Sequence, residues 1–136
     1  MALSRDDTVC YARAMARIGA RPGDWKVEPL PERVASLAFT RSFSAAEFMR
    51  LQQGLVPEAM EDKWFIVWHD DALWLHRSWT GRCIYVLRFA AEGERFAVTE
   101  VTVNRAPDQY TGADIHDRSA LGSLLDSVLR FSARPR

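Results

Sequence analysis

Two runs rich in aromatic and β-branched residues, Lys63-Trp-Phe-Ile-Val-Trp68 and Leu73-Trp-Leu-His-Arg-Ser78, are separated by a short segment whose centre is Asp70-Asp71. Runs of this composition favour strands, and paired aspartates tolerate the left-handed backbone of a two-residue hairpin turn. An antiparallel hairpin is therefore expected, with Val67 opposite Trp74, Phe65 opposite His76 and Lys63 opposite Ser78. A third run, Cys83 to Phe89, follows Trp79-Thr80-Gly81. If those three residues form the loop with Gly81 left-handed, Ser78 pairs with Arg82 and His76 with Ile84.

Because side chains alternate along a strand, this register sorts the stretch into two faces. One face collects Trp64, Ile66, Trp68, Leu73, Leu75, Tyr85, Leu87 and Phe89 and is apolar enough to be covered by helices. The other collects Lys63, Phe65, Val67, Trp74, His76, Ser78, Arg82, Ile84 and Arg88, which mixes aromatic platforms with hydrogen-bonding groups. Two readings of that second face stand side by side: a ligand site, or the solvated side of an antiparallel sheet covered by amphipathic Arg, Lys and Trp.

The remaining chain supplies helices and connections. Ser4 with Asp7, and the stripe Tyr11, Ala14, Met15 and Ile18 before Gly19, predict a first helix. Arg21-Pro-Gly-Asp24 is a turn signal, Pro29 and Pro31 make the next segment a connection or sheet edge, and Ser36 to Thr40 could be a short strand. Ser44 as N-cap, Glu47 as its reciprocal partner and Phe43 with Phe48 as a staple start a second helix, which Gly54 and Pro57 end. After a turn at Ala91-Glu-Gly-Glu94, Arg95 to Val103 reads as a fourth strand. Leu121, Leu124, Leu125, Val128 and Leu129 form the stripe of a C-terminal amphipathic helix beginning near Asp117 or Ser119. The expected fold is one α+β domain over residues 1–136, an antiparallel β-meander of four or more strands packed against helices.

A chain of 136 residues with 48% hydrophobic composition can bury one core, and its 18 basic and 18 acidic side chains cancel. No global field attracts duplex nucleic acid or an anionic bilayer, so both are expected to be absent among the partners. Charges at Arg5, Asp6, Asp7, Arg13 and Arg17 interrupt the N-terminal segment, which reads as part of a soluble cytoplasmic protein rather than a signal peptide or membrane helix. Cys10 and Cys83 lack the spacing of a zinc site or a disulfide framework.

The central stretch holds four of the five tryptophans and two of the three histidines, yet no complete catalytic, metal or cofactor motif. A metal held by His69, Asp70, Asp71 and His76 would need histidines that the hairpin places roughly 13 Å apart, so no metal is expected. A Cys83–His76 dyad would require a common face, which the three-residue loop denies, and Cys83 reads as a small buried apolar residue. Ser78 and His76 lie two apart on one strand, too far for a nucleophile and base. Anion recognition fits better: Lys63, Arg77 and Arg82 cluster near one end of the hairpins, Ser78, Thr80 and the Gly81 backbone add donors, and Trp74 or Trp79 could stack a planar ring. Asn104 and Arg105, in Val103-Asn-Arg-Ala-Pro-Asp-Gln-Tyr110, could edge the same site or belong to a turn. His116 is expected to be exposed.

The segments Glu61-Asp-Lys-Trp-Phe-Ile66, His76-Arg-Ser-Trp-Thr-Gly81 with Ile84-Tyr85, and Val103-Asn-Arg105 with Gln109-Tyr110 resemble those of a group of small uncharacterised bacterial proteins. The resemblance covers about Phe48 to Tyr110. Similar segments are associated with proteins of ADP-ribose or nucleotide metabolism, which implies a nucleotide-like ligand but carries over no catalytic residue.

Two functions follow as expectations. The first is binding or processing of a small anionic, nucleotide-like ligand without a cofactor, at Lys63, Trp74, Arg77, Ser78, Trp79, Thr80, Arg82, Asn104 and Arg105, with His76 as a general acid or base. The second is a non-enzymatic protein-interaction module, antitoxin-like or immunity-like, using exposed Trp and Arg as hot spots for a protein partner.

Overall fold

The computed structural model describes residues 19–59 and 61–131. The helix expected from Ser4 to Ile18 lies outside the described residues, as does Cys10. Six strands form one antiparallel sheet: β1 Val34–Ser36, β2 Ser42–Ser44, β3 Trp64–His69, β4 Ala72–Arg77, β5 Cys83–Glu92 and β6 Arg95–Asn104. Its order is β1, β6, β5, β4, β3, with β2 also pairing on the β1 edge of β6. Helix α1 spans Ala45–Gln53 and α2 spans Asp114–Phe131. The domain is thus α+β, with the expected meander at its centre.

Local chemistry explains each junction. Asp70 and Asp71 both adopt positive φ, 49° and 57°, as a type I′ turn requires, and Phe65 pairs with His76 and Val67 with Trp74 as expected. Gly93, at φ 62°, opens the two-residue turn between β5 and β6. Ser44 Oγ accepts from Glu47 N at 3.1 Å while Ser44 N donates to Glu47 Oε1 at 2.9 Å, fixing the start of α1. Phe43 and Phe48 flank Phe89, their ring centroids 6.1 and 5.2 Å from it.

The β4–β5 connection corrects the expected register. Arg77 N bonds Arg82 O at 2.9 Å and Gly81 N bonds Arg77 O at 2.8 Å, so the loop contains the four residues Ser78 to Gly81. His76 consequently pairs with Cys83, while Leu75 pairs with Tyr85 and Ile84 is the extra residue of a bulge. The main-chain bond that closes the helical turn at Gly81 outcompetes the three-residue alternative. Two smaller corrections follow the same logic: the first strand lies at Val34–Ser36 rather than Ser36 to Thr40, and α2 begins at Asp114, three residues before Asp117.

The two faces are covered differently. On one, Leu51 of α1 and Leu121, Leu125 and Val128 of α2 pack with Ile66, Leu73, Leu75, Tyr85, Leu87, Val98, Val101 and Val103. Each such side chain contributes about 1.5–3 kcal/mol through burial. Ile84 joins this layer because of the bulge, not the opposite face where regular alternation would put it.

The opposite face is covered over much of its area, while Lys63 and Arg88 on it stay exposed. The coil segment from Ala20 through Trp25 to Leu30, broken only by a single 3-10 turn at Pro22–Asp24, lies over Phe65, Val67, Ala72, Trp74, Cys83 and Val86 in two apolar clusters. Glu28 N bonds Gly81 O at 2.8 Å, and a β-carbon on Gly81 would stand 2.9 Å from Lys26 O. Glycine is therefore required there twice, for its φ of 77° and for the close approach of two main chains. Among the described residues no helix is long and apolar enough to cross a membrane.

Candidate functional site

The coil that covers the second face also determines which of its polar groups remain accessible. His76 is only 4% exposed, and its Nδ1–H donates to Gly81 O at 2.9 Å. Burial holds its pKa below the ordinary imidazole value of 6.5, an effect that the Gly81 carbonyl partly opposes. Ser78 is 1% exposed; its Oγ donates to Asp62 O at 2.7 Å and its carbonyl accepts the Trp25 indole N–H at 2.7 Å. Trp74 is half-buried between the two apolar clusters and donates its indole N–H to His69 O at 2.8 Å. These three side chains belong to the packing of the domain.

The expected cations do not converge. Arg77 alternates to the helix side of the sheet, its guanidinium 4.7 Å above the Trp64 ring. Arg82 donates to Asp108 O at 3.0 Å, and its Nε stands 3.9 Å from the Glu28 carboxylate. Lys63 is exposed, with its carbonyl accepting Ser78 N at 2.9 Å. Thr80 is exposed and uses its hydroxyl oxygen to accept Arg82 N at 3.2 Å. Strand alternation separates Lys63 from Arg77, because Arg77 pairs with Trp64, the residue after Lys63.

What remains open is a groove at this end of the hairpins. Trp79, 66% exposed, stands on its rim with Lys26, Glu58, Ala59 and Pro57, and Trp25 and Ser78 complete the lining. Its volume is about 680 Å³. The wall is organised by backbone bonds, since the Asp62 carboxylate accepts Glu58 N at 2.9 Å and Ala59 N at 3.2 Å while Ser78 ties down the Asp62 carbonyl. Trp25, Lys26, Pro57, Glu58 and Ala59 were not among the expected site residues. The Arg-Pro-Gly-Asp turn and Pro57 mark loops, but no local pattern says that those loops meet.

No protein-family model, curated protein or solved structure matches the chain. The geometry is accordingly the basis for any functional reading.

A second polar cluster sits where β5, the loop after β6 and α2 meet. Asp117, 0% exposed, accepts the Tyr85 hydroxyl at 2.8 Å and the Tyr110 hydroxyl on Oδ1, and Arg105 at 2.7 Å on Oδ2. Arg105 also pairs with Asp114 and donates to Gly112 O at 3.3 Å. Burial alone would raise the Asp117 carboxyl, but hydrogen bonds from Tyr110, Arg105 and Tyr85 hold it below its ordinary value of 3.8. Burial raises both tyrosines. Asn104 is buried beside this cluster, its Nδ2 donating to Cys83 O and to Gln109 Oε1, each at 2.9 Å, while its Oδ1 accepts Ala106 N at 2.9 Å.

Asn104 and Arg105, expected to contact a ligand, thus shape the loop that leads into α2. Sequence reasoning missed Asp117 as a buried group, although a signal existed: it precedes Leu121 by four residues and so shares the stripe that faces the sheet. An aspartate on such a stripe requires partners, and Tyr85, Tyr110 and Arg105 are the ones supplied.

Proposed function

We propose that this chain is a non-enzymatic interaction module, with the Trp79 groove as the docking point for a segment of a partner protein. The observation that carries this reading is the exposure of Trp79, 66%, on the rim of an open groove in which Trp25 is already fixed by Ser78. A large exposed indole beside a preformed concavity is the kind of anchor on which protein interfaces concentrate their binding energy. His76 and Ser78, by contrast, have their donors satisfied internally and little access to a substrate. The test is copurification of the tagged full chain from its source cells. A stoichiometric partner that is lost with Trp79→Ala supports the module, and an unaccompanied chain, or a partner indifferent to that change, overturns it.

One observation favours a second reading, a small anionic, nucleotide-like ligand. The Arg77 guanidinium rests on Trp64 without an ion pair to any carboxylate among the described residues. A cation positioned by an aromatic ring presents its N–H edge to phosphate or carboxylate. Thermal shift against nucleotides, ADP-ribose and dinucleotides decides this reading, because a ligand of the native state must raise Tm by mass action. A shift abolished by Arg77→Gln is expected under it; the absence of any shift sinks it.

A further inference from the structure

The groove at Trp79 restricts what kind of segment can occupy it. Among its lining residues, Ser78 N is spent on Lys63 O at 2.9 Å, Glu58 N and Ala59 N are spent on the Asp62 carboxylate at 2.9 and 3.2 Å, and Pro57 has no N–H. On these two segments an incoming chain finds no row of donors to extend as an added strand.

What the groove offers instead is carbon surface. Trp25 Nε1 donates to Ser78 O at 2.7 Å, and that carbonyl belongs to the peptide linking Ser78 to Trp79. One indole is thereby anchored at the root of the other, with Pro57 and Ala59 extending the apolar wall. The bond also fixes the Trp25 ring, so docking against it immobilises little that is not already ordered.

The rim carries charges that the domain itself does not use in ion pairs. Glu58, Glu61 and Asp62 place three carboxylates within residues 58–62, and Lys26 joins the lining from the coil. Glu58, Glu61 and Lys26 are exposed and enter no ion pair among the described residues.

We infer that the occupant is a proline-rich segment in the polyproline II conformation with a basic residue beside its prolines, an assignment that rests on the docking role of Trp79. Its pyrrolidine rings pack on the two indoles, and its basic residue meets Glu58 and Glu61. Polyproline II leaves main-chain carbonyls without internal partners, and the Lys26 ammonium can donate to them. Such a segment needs no ladder and is extended before it binds, so aromatic-lined grooves capture it at a low cost in conformational entropy.

The experiment is a titration of the isotopically labelled full chain with a short oligoproline peptide ending in arginine, followed by backbone amide and indole N–H resonances. The same peptide ending in glutamate, and an amphipathic helical peptide without proline, serve as comparisons. Expected are saturable perturbations centred on residues 25–26, 57–59 and 78–79, with Trp79→Ala weakening binding at least about tenfold and Glu58→Lys removing the preference for the arginine end. Both positions are exposed, and unchanged amide resonances elsewhere report an intact fold in each variant. No localised perturbation, equal binding of the helical or the glutamate-ended peptide, or binding unchanged in Trp79→Ala overturns the proline assignment. If a copurified partner is nonetheless lost with Trp79→Ala, the docking role stands and only its occupant is wrong; if capture is indifferent to Trp79, both fall.

Discussion

His76 and Cys83 stand directly opposite one another across β4 and β5, on the face that the Ala20 to Leu30 coil covers. Side chains so paired have β-carbons about 4.5–5.5 Å apart, the spacing a nucleophile and base would need. The pairing alone therefore permits a dyad, but the hydrogen bonds run elsewhere, His76 Nδ1 to Gly81 O at 2.9 Å and Cys83 Sγ to Tyr85 O at 3.7 Å, and burial disfavours both charged forms. Burial pushes the Cys83 thiol up to about 12, and His76 is held neutral by burial. A neutral imidazole cannot stabilise a thiolate.

Cys83 should accordingly be inert in the native state. In a Cys10→Ser background, a thiol reagent at neutral pH should label Cys83 only after denaturation, at a rate set by unfolding. Fast labelling of the native protein would show that the thiol is ionised and reachable.

His76 also sets a pH dependence. Its folded-state pKa is depressed below the unfolded value of 6.5, so below that pH the unfolded chain binds a proton that the native one does not. Stability should be insensitive to this group above pH 6.5 and decline as pH falls beneath it. Urea unfolding at neutral and mildly acidic pH should show the decline in the parent and a reduced one in His76→Gln. Asp117, with its depressed carboxyl, acts in a separate window: its contribution is present above 3.8 and is lost as pH falls further.

Removing the Asp117 charge leaves Arg105 and two buried tyrosines without their common acceptor. Asp117→Asn should destabilise the fold by about 3 kcal/mol. Tyr110→Phe, which deletes one of several bonds, should cost about 1 kcal/mol. Chemical denaturation distinguishes the two, and equal small effects would mean that the cluster contributes little.

Gly81→Ala should cost about 1–3 kcal/mol, since it combines a left-handed residue with a β-carbon against Lys26 O. Gly93→Ala meets open space and should lose only the left-handed penalty of about 1 kcal/mol. The larger loss at Gly81 should be accompanied by faster amide exchange in residues 25–30, whose coil is hydrogen-bonded to it.

The two hairpin tryptophans should behave in opposite ways. Trp74→Ala opens a cavity beneath the coil and should cost about 3 kcal/mol. Trp79→Ala should leave stability within about 0.5 kcal/mol and instead diminish partner capture. Reversed effects would place the docking surface elsewhere.

The sequence by itself determined the elements whose signals are local. Asp70-Asp71 imposed its turn because few residues accept two successive left-handed conformations. Ser44 with Glu47 set a helix start because both bonds close within one turn, and the alternation from Trp64 to Trp68 and from Leu73 to Leu75 selected the helix-facing layer. The tertiary structure decided what depends on meeting across distance. The four-residue loop before Cys83 was favoured by a main-chain bond and supported by the coil seated on Gly81, which reversed the face of Ile84. That coil has no strand periodicity to reveal its destination, yet it buried His76 and Ser78 and left Trp79 on a groove. Asp117 and Tyr85, 32 residues apart, likewise became partners only when α2 settled on the sheet, because a buried carboxylate is stable only where the packed chain brings donors to it.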